Sequence, residues 1–146
     1  MRVKTTLVKS SSIETDGRIT QPKDVAVVLS KILAAEPPNT AEQEHIWVLI
    51  LGSKLQIKEI HLVHLGTWEE CQVSIPVLLR AVLVAGSERF ILAHNHPSGS
   101  IYPSDGDHDL IKRTRKAAET VCLCRLDALI VSATGEYWSA KEVDLL

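Results

Sequence analysis

His94 and His96, one residue apart, are followed by Ser104 and Asp107 in the stretch AHNHPSGSIYPSDGD. Imidazole is a common zinc ligand, and a catalytic zinc takes three protein ligands with one position left for water. Two histidines therefore need a third ligand, and Asp107 is the obvious candidate. Ser104 carries a hydroxyl that can donate to the oxyanion formed when a zinc-activated water attacks a carbonyl. A base must also take the water's proton. Glu44 heads the apolar run EHIWVLIL, which the topology would set beside RFILA; Glu42 and Glu70 are not excluded by spacing.

Each feature has a blander reading. An isolated His-x-His pair is more often surface histidine than ligand, by about two to one, until a correctly spaced aspartate reverses the odds. Ser104-x-x-Asp107 taken alone reads as a helix-capping pair. A side chain committed to first-turn amides is less free to meet an ion, so Asp107 is expected to choose the metal while Ser104 keeps a partial capping role. With 6 histidines, 12 serines and 7 aspartates in 146 residues, the whole pattern arises by chance on the order of once in a thousand.

The elements that would position these residues follow from periodicity. From Pro22, the residues Val25, Val28, Leu29, Ile32 and Leu33 recur at helical spacing until Pro37-Pro38 forbids continuation. EHIWVLIL and QIKEIHLVHL then read as two strands of a hairpin about Gly52-Ser53. Ser74 can cap a helix that holds Pro76 in its first turn and ends at Gly86. RFILA is a strand, so if its geometry persists His94 and His96 leave the same face. Ser104 caps another helix, with Leu110, Ile111, Thr114, Ala118 and Val121 on its inner face and Lys112, Arg113, Arg115 and Lys116 facing water. RLDALIVS and EYWS are further strands about the turn Thr134-Gly135. The fold class is α/β, a single mixed β-sheet flanked by helices.

Composition sets the frame. A chain of 146 residues with 45% hydrophobic and 23% charged content fits one folded domain, with residues 1–20 an N-terminal arm and 21–146 the domain. The net charge of -2 gives no bulk reason to bind a polyanion. The KRTRK cluster is read as a solvated face, about four chances in five, rather than a nucleic-acid patch. No apolar run is long enough for a bilayer and the N-terminus has no secretory h-region, so the expected localisation is cytoplasmic with no membrane partner. Cys71, Cys122 and Cys124 form neither a disulfide framework nor a C-x-x-C site and are read as reduced core thiols. His45, His61, His64 and His108 are taken as structural or exposed, with only His108 near the rim; Trp47, Trp68 and Trp138 are taken as packing residues.

His94, His96, Ser104 and Asp107 together resemble the JAMM (MPN+) zinc metallopeptidase signature, and ILAHNHPSG with YPS resembles its RadC branch. EHIWVLIL, HLGTWEECQVSIP and RLDALIVS fall in RadC-like order, so the resemblance covers roughly residues 22–140. It implies Zn2+ held by His94, His96 and Asp107, oxyanion support from Ser104, and Glu44 as general base. It also implies a fold similar to cytidine deaminase and cleavage of a peptide or isopeptide bond in a protein substrate. The helix-hairpin-helix segment of longer RadC proteins does not occur in these residues, so the chain resembles the short stand-alone form. Departures from the pattern are Val77 in place of arginine, Ala128 in place of histidine, and Gly52 where aspartate is frequent. None is an implied zinc ligand.

Rival readings are a DNA-repair type module bound to nucleic acid through the basic helix, and a structural zinc site. A nucleobase deaminase requires H-x-E and P-C-x-x-C, which this chain does not contain. HNH at residues 94–96 is not a nuclease motif, because an HNH nuclease spreads those residues over a longer unit.

Overall fold

The computed structural model describes residues 6–8, 17–66 and 73–146. Cys71, Trp68 and Glu70 lie outside the described residues. In chain order the elements are β1 (Thr6–Val8), α1 (Pro22–Ala35), α2 (Pro38–Ala41), β2 (Glu44–Leu51), β3 (Ile57–Gly66), α3 (Ile75–Val84), β4 (Arg89–His94), α4 (Asp105–Thr120), β5 (Cys124–Val131) and β6 (Tyr137–Ser139). They form one six-stranded sheet of order β1-β3-β2-β4-β5-β6. Only β4 and β5 run parallel, with α4 as their crossover; the other neighbours are antiparallel. The expected mixed sheet with flanking helices is what the chain builds.

The centre of the sheet is covered on both faces. Every residue of β2 is buried, as a strand between two layers requires. Ile46, Val48, Ile50, Phe90 and Leu92 pack with Leu78 and Val82 of α3 and Leu110 and Ile111 of α4. Their sequence neighbours Trp47, Leu49, Leu51, Ile91 and Ala93 point the other way, onto Val25, Val28, Leu29 and Leu33 of α1. Among the described residues, no helix is long and apolar enough to cross a membrane.

α1 starts where the Asp24 carboxylate accepts hydrogen bonds from the Thr20 N–H (2.8 Å), the Thr20 hydroxyl (2.9 Å) and the Gln21 N–H (3.1 Å). These bonds, led by that from the Thr20 backbone, hold its carboxyl below the ordinary aspartate range against the opposing effect of burial. Asp24→Ala is expected to lower stability by about 1 kcal/mol at neutral pH, the usual worth of a lost helix cap. Because the folded-state pKa is depressed, the unfolded chain takes up the proton first, and the contribution disappears as pH falls through the carboxylate range. Urea melts of both proteins at about pH 7 and about pH 3 check this; an equal deficit at both would contradict it.

Several local expectations are corrected. Cys122 and Cys124 are exposed thiols. Cys122 sits at φ +58° in the tight turn leaving α4, while Cys124 opens β5 with its side chain outward. Strand alternation then turns its neighbour inward, so it is Arg125 that is buried. Nη1 of Arg125 donates to the Ile111 carbonyl and to the Thr114 hydroxyl (2.8 Å), which offsets part of the burial. Val121 follows the last turn of α4 and is exposed rather than part of its inner face. Ser74 is the first residue before α3 but makes no side-chain cap. Gly86 ends that helix at φ +67°, a conformation glycine adopts without penalty. The short helix α2 was not anticipated from the sequence.

Candidate metal centre

His94 is the last residue of β4, opposite Ile46 of β2 on one side and Ile130 of β5 on the other. The pairing continues one residue further, because the Asn95 N–H donates to the His45 carbonyl at 3.3 Å. Extended geometry therefore persists through the H-x-H pair, and both imidazoles leave the face that carries α3 and α4. A turn closed by the Gly99 N–H on the His96 carbonyl (2.9 Å) then starts the loop back to α4. Asp107, in the first turn of that helix, is thereby brought to the histidines.

All three side chains are buried: His94 at 3%, His96 at 9% and Asp107 at 8% exposure. Nε2 of His94 lies 3.0 Å from Asp107 Oδ1, Nε2 of His96 lies 2.9 Å from Oδ2, and the two Nε2 atoms are 3.2 Å apart. One ligand atom from each residue falls within 4.8 Å of the others, a grouping that can hold a metal ion. The spacing fits one. Ligands about 2.0–2.1 Å from a tetrahedral zinc stand roughly 3.3 Å from each other, close to the separations found. Two ring nitrogens turned towards each other and towards one carboxylate also make an ion a natural common partner.

The electrostatics agree with that geometry. Burial works against ionising Asp107, but hydrogen bonds from His94 and His96 outweigh it and hold the carboxyl well below the ordinary range. The hydrogen bond to Asp107, opposed by burial, raises the pKa of His96; the charges of Asp107 and Glu44 add to the rise.

Asp107 faces the histidines and caps α4 at the same time. Its Oδ2, the oxygen facing His96, also accepts the Ser104 N–H at 2.8 Å, while Ser104 Oγ accepts the Asp107 N–H at 3.2 Å. A carboxylate oxygen has more than one lone pair, so a complete capping box and a close approach to the histidines coexist in one side chain. Ser104 is exposed, and as the acceptor in that bond its hydroxyl keeps a proton to donate.

Glu44 opens β2 with 7% exposure. By alternation it shares a face with Ile46, which opposes His94, and its charge acts on His96. Glu42 is exposed beyond the end of α2. His45 is buried and stacked on Trp47 with ring centroids 5.1 Å apart; desolvation lowers its pKa. His61 is buried beside Glu59 and His108 is exposed, its ring edge-on to Trp138 at 6.2 Å. The middle residue of the H-x-H, Asn95, is 4% exposed with both its side-chain oxygen and nitrogen hydrogen-bonded, a role that sequence reasoning missed. A polar residue confined between two inward-turned histidines was the available signal.

An α/β domain whose central strand and crossover helix carry a His-His-Asp group able to hold a metal is the class that fold and site define. The chain belongs to the RadC-like JAB domain family, whose model matches residues 19–145. It is 33% identical over 104 residues to a UPF0758 protein of Porphyromonas gingivalis, covering 71% of this chain and 46% of that one. It is also 33% identical over 131 residues to a UPF0758 protein of Clostridium kluyveri, covering 90% and 55%. A UPF0758 protein of Gloeothece citriformis is 37% identical over 101 residues, 69% of this chain and 41% of that one. The chain thus spans about half the length of the curated relatives it matches.

Proposed function

We propose that residues 21–146 form a zinc-dependent metallohydrolase domain of JAMM type that cleaves peptide or isopeptide bonds. The observation that carries this reading is the convergence of His94, His96 and Asp107, buried and at ligand spacing, beside the strand that Glu44 opens. His94 Nε2, His96 Nε2 and an Asp107 oxygen would hold the ion. Bound zinc supplies a Lewis acid that lowers the pKa of water and polarises a carbonyl. Glu44 takes the proton of the attacking water on a carboxylate oxygen and returns it to the leaving amine. The Ser104 hydroxyl donates its proton in a hydrogen bond to the carbonyl oxygen as charge develops there.

The nucleic-acid reading has less support. Lys112, Arg113, Arg115 and Lys116 are exposed on α4, but Arg113 pairs with Asp109 at 3.4 Å and Arg115 with Glu119 at 3.7 Å. Paired charges within one helix leave a weaker field for a polyanion.

Zinc content of the purified protein, followed by a screen of peptide and ubiquitin-like isopeptide substrates with and without chelator, tests the proposal. One zinc per chain and chelator-sensitive hydrolysis are expected. Zinc affinity should also fall as pH is lowered from about 8 to 5, because ligand histidines must be deprotonated. Asp107 raises the pKa of His96 in the metal-free protein, so protons begin to compete above the ordinary imidazole range. Protein that takes up no zinc at any of these pH values would remove the basis of the reading.

A further inference from the structure

We infer that Asn95 is a positioning residue for Glu44, fixing the peptide groups on both sides of that glutamate from a point between the two histidines. The inference rests on the reading of Glu44 as the base of a metal site. Oδ1 of Asn95 accepts the His45 N–H at 2.7 Å, and its Nδ2 donates to the Gln43 carbonyl at 3.3 Å. The Gln43 carbonyl is a second time engaged by His45 Nδ1, at 2.9 Å.

Gln43 C=O belongs to the peptide plane before Glu44 and His45 N–H to the plane after it. Two planar groups meeting at one Cα define its φ and ψ, and so the direction of its Cα–Cβ bond. Asn95 is covalently joined to His94 and His96, so one side chain ties the direction of Glu44 to that of both imidazoles. The sheet holds the Glu44 backbone from the other side, where β3 pairs it with Gly66, whereas towards the histidines the β2–β4 ladder ends at the His45–Asn95 bond and it is the Asn95 side chain that reaches the peptide groups flanking Glu44. A carboxamide is also the side chain the position requires. It offers one acceptor and one donor together, whereas aspartate cannot donate and an aliphatic residue does neither.

The test is a double-mutant cycle read by zinc titration, with no turnover needed. Glu44→Gln alone should weaken zinc binding about tenfold, the order of effect expected when one negative charge that acts on His96 is removed from the neighbourhood of a dication. In an Asn95→Ala background the same change should cost less than about twofold, since the glutamate is no longer held beside the ion. A purely structural Asn95 would leave the Glu44 effect at tenfold in both backgrounds, and that result overturns the inference. So does a Glu44→Gln change without effect in either background. Wild-type protein that binds no zinc is a separate outcome, which sinks the reading of the site and this inference with it. If Asn95→Ala does not fold, Asn95→Ser, which retains an oxygen for the His45 N–H, is carried through the same cycle and judged by the same loss of coupling.

Discussion

Asp107→Ala is expected to abolish zinc binding, with affinity lower by roughly a thousandfold or more because one of three protein ligands is gone. The change has a second consequence. Asp107 also accepts the Ser104 N–H at the head of α4, so the metal-free variant should lose about 1 kcal/mol as a cap is removed. Asp107→Asn separates the two effects. Its amide oxygen can still accept the Ser104 N–H and preserve much of the cap, while a neutral amide is a poor zinc ligand. Metal analysis after dialysis, with thermal melts of all three proteins in chelator, distinguishes them. A folded Asp107→Ala protein that retains one zinc per chain would show that the ion does not bind where His94, His96 and Asp107 meet.

The second large effect is expected at Glu44. Glu44→Gln keeps the shape of the side chain and removes its ability to accept a proton, so hydrolysis should fall by roughly a hundred- to ten-thousandfold. At saturating metal the variant should still hold one zinc per chain, since Glu44 is not among the three ligands. Steady-state rates on a substrate from the isopeptide screen, compared with zinc content of the same samples, check both halves. Undiminished hydrolysis by Glu44→Gln would sink its assignment as the base.

Much of this site was legible before the fold because its chemistry depends on spacing within the chain. H-x-H at a strand end puts two side chains on one face by the alternation of the strand alone. The serine and aspartate three residues apart likewise announced a helix start, which the capping box at Ser104 and Asp107 now displays. What was illegible depends on how separate segments meet. That the Oδ2 of Asp107 faces both Ser104 and His96 is one such meeting, because it depends on where the loop from β4 returns the start of α4. Cys124 was misplaced because hydropathy favours cysteine inside, whereas the register of β5 with β4 and the acceptors on α4 turn its neighbour Arg125 inward instead. Register is a property of paired strands, and a slip of one residue exchanges every inside for outside. Asn95 escaped notice for the same reason: its partners, Gln43 and His45, lie about fifty residues away in sequence.

The two contacts of Asp107 would join a bound ion to the folding of a helix end. One carboxylate oxygen faces the His96 ring nitrogen, two residues past β4, and also closes the first turn of α4, with residues 97–104 strung between. An ion held there would act as a fastener across that connection, closing a loop whose open ensemble is larger. Occupancy and local order would then be reciprocal quantities: whatever loosens the start of α4 would weaken the hold on metal, and loss of metal would free the connection between β4 and α4.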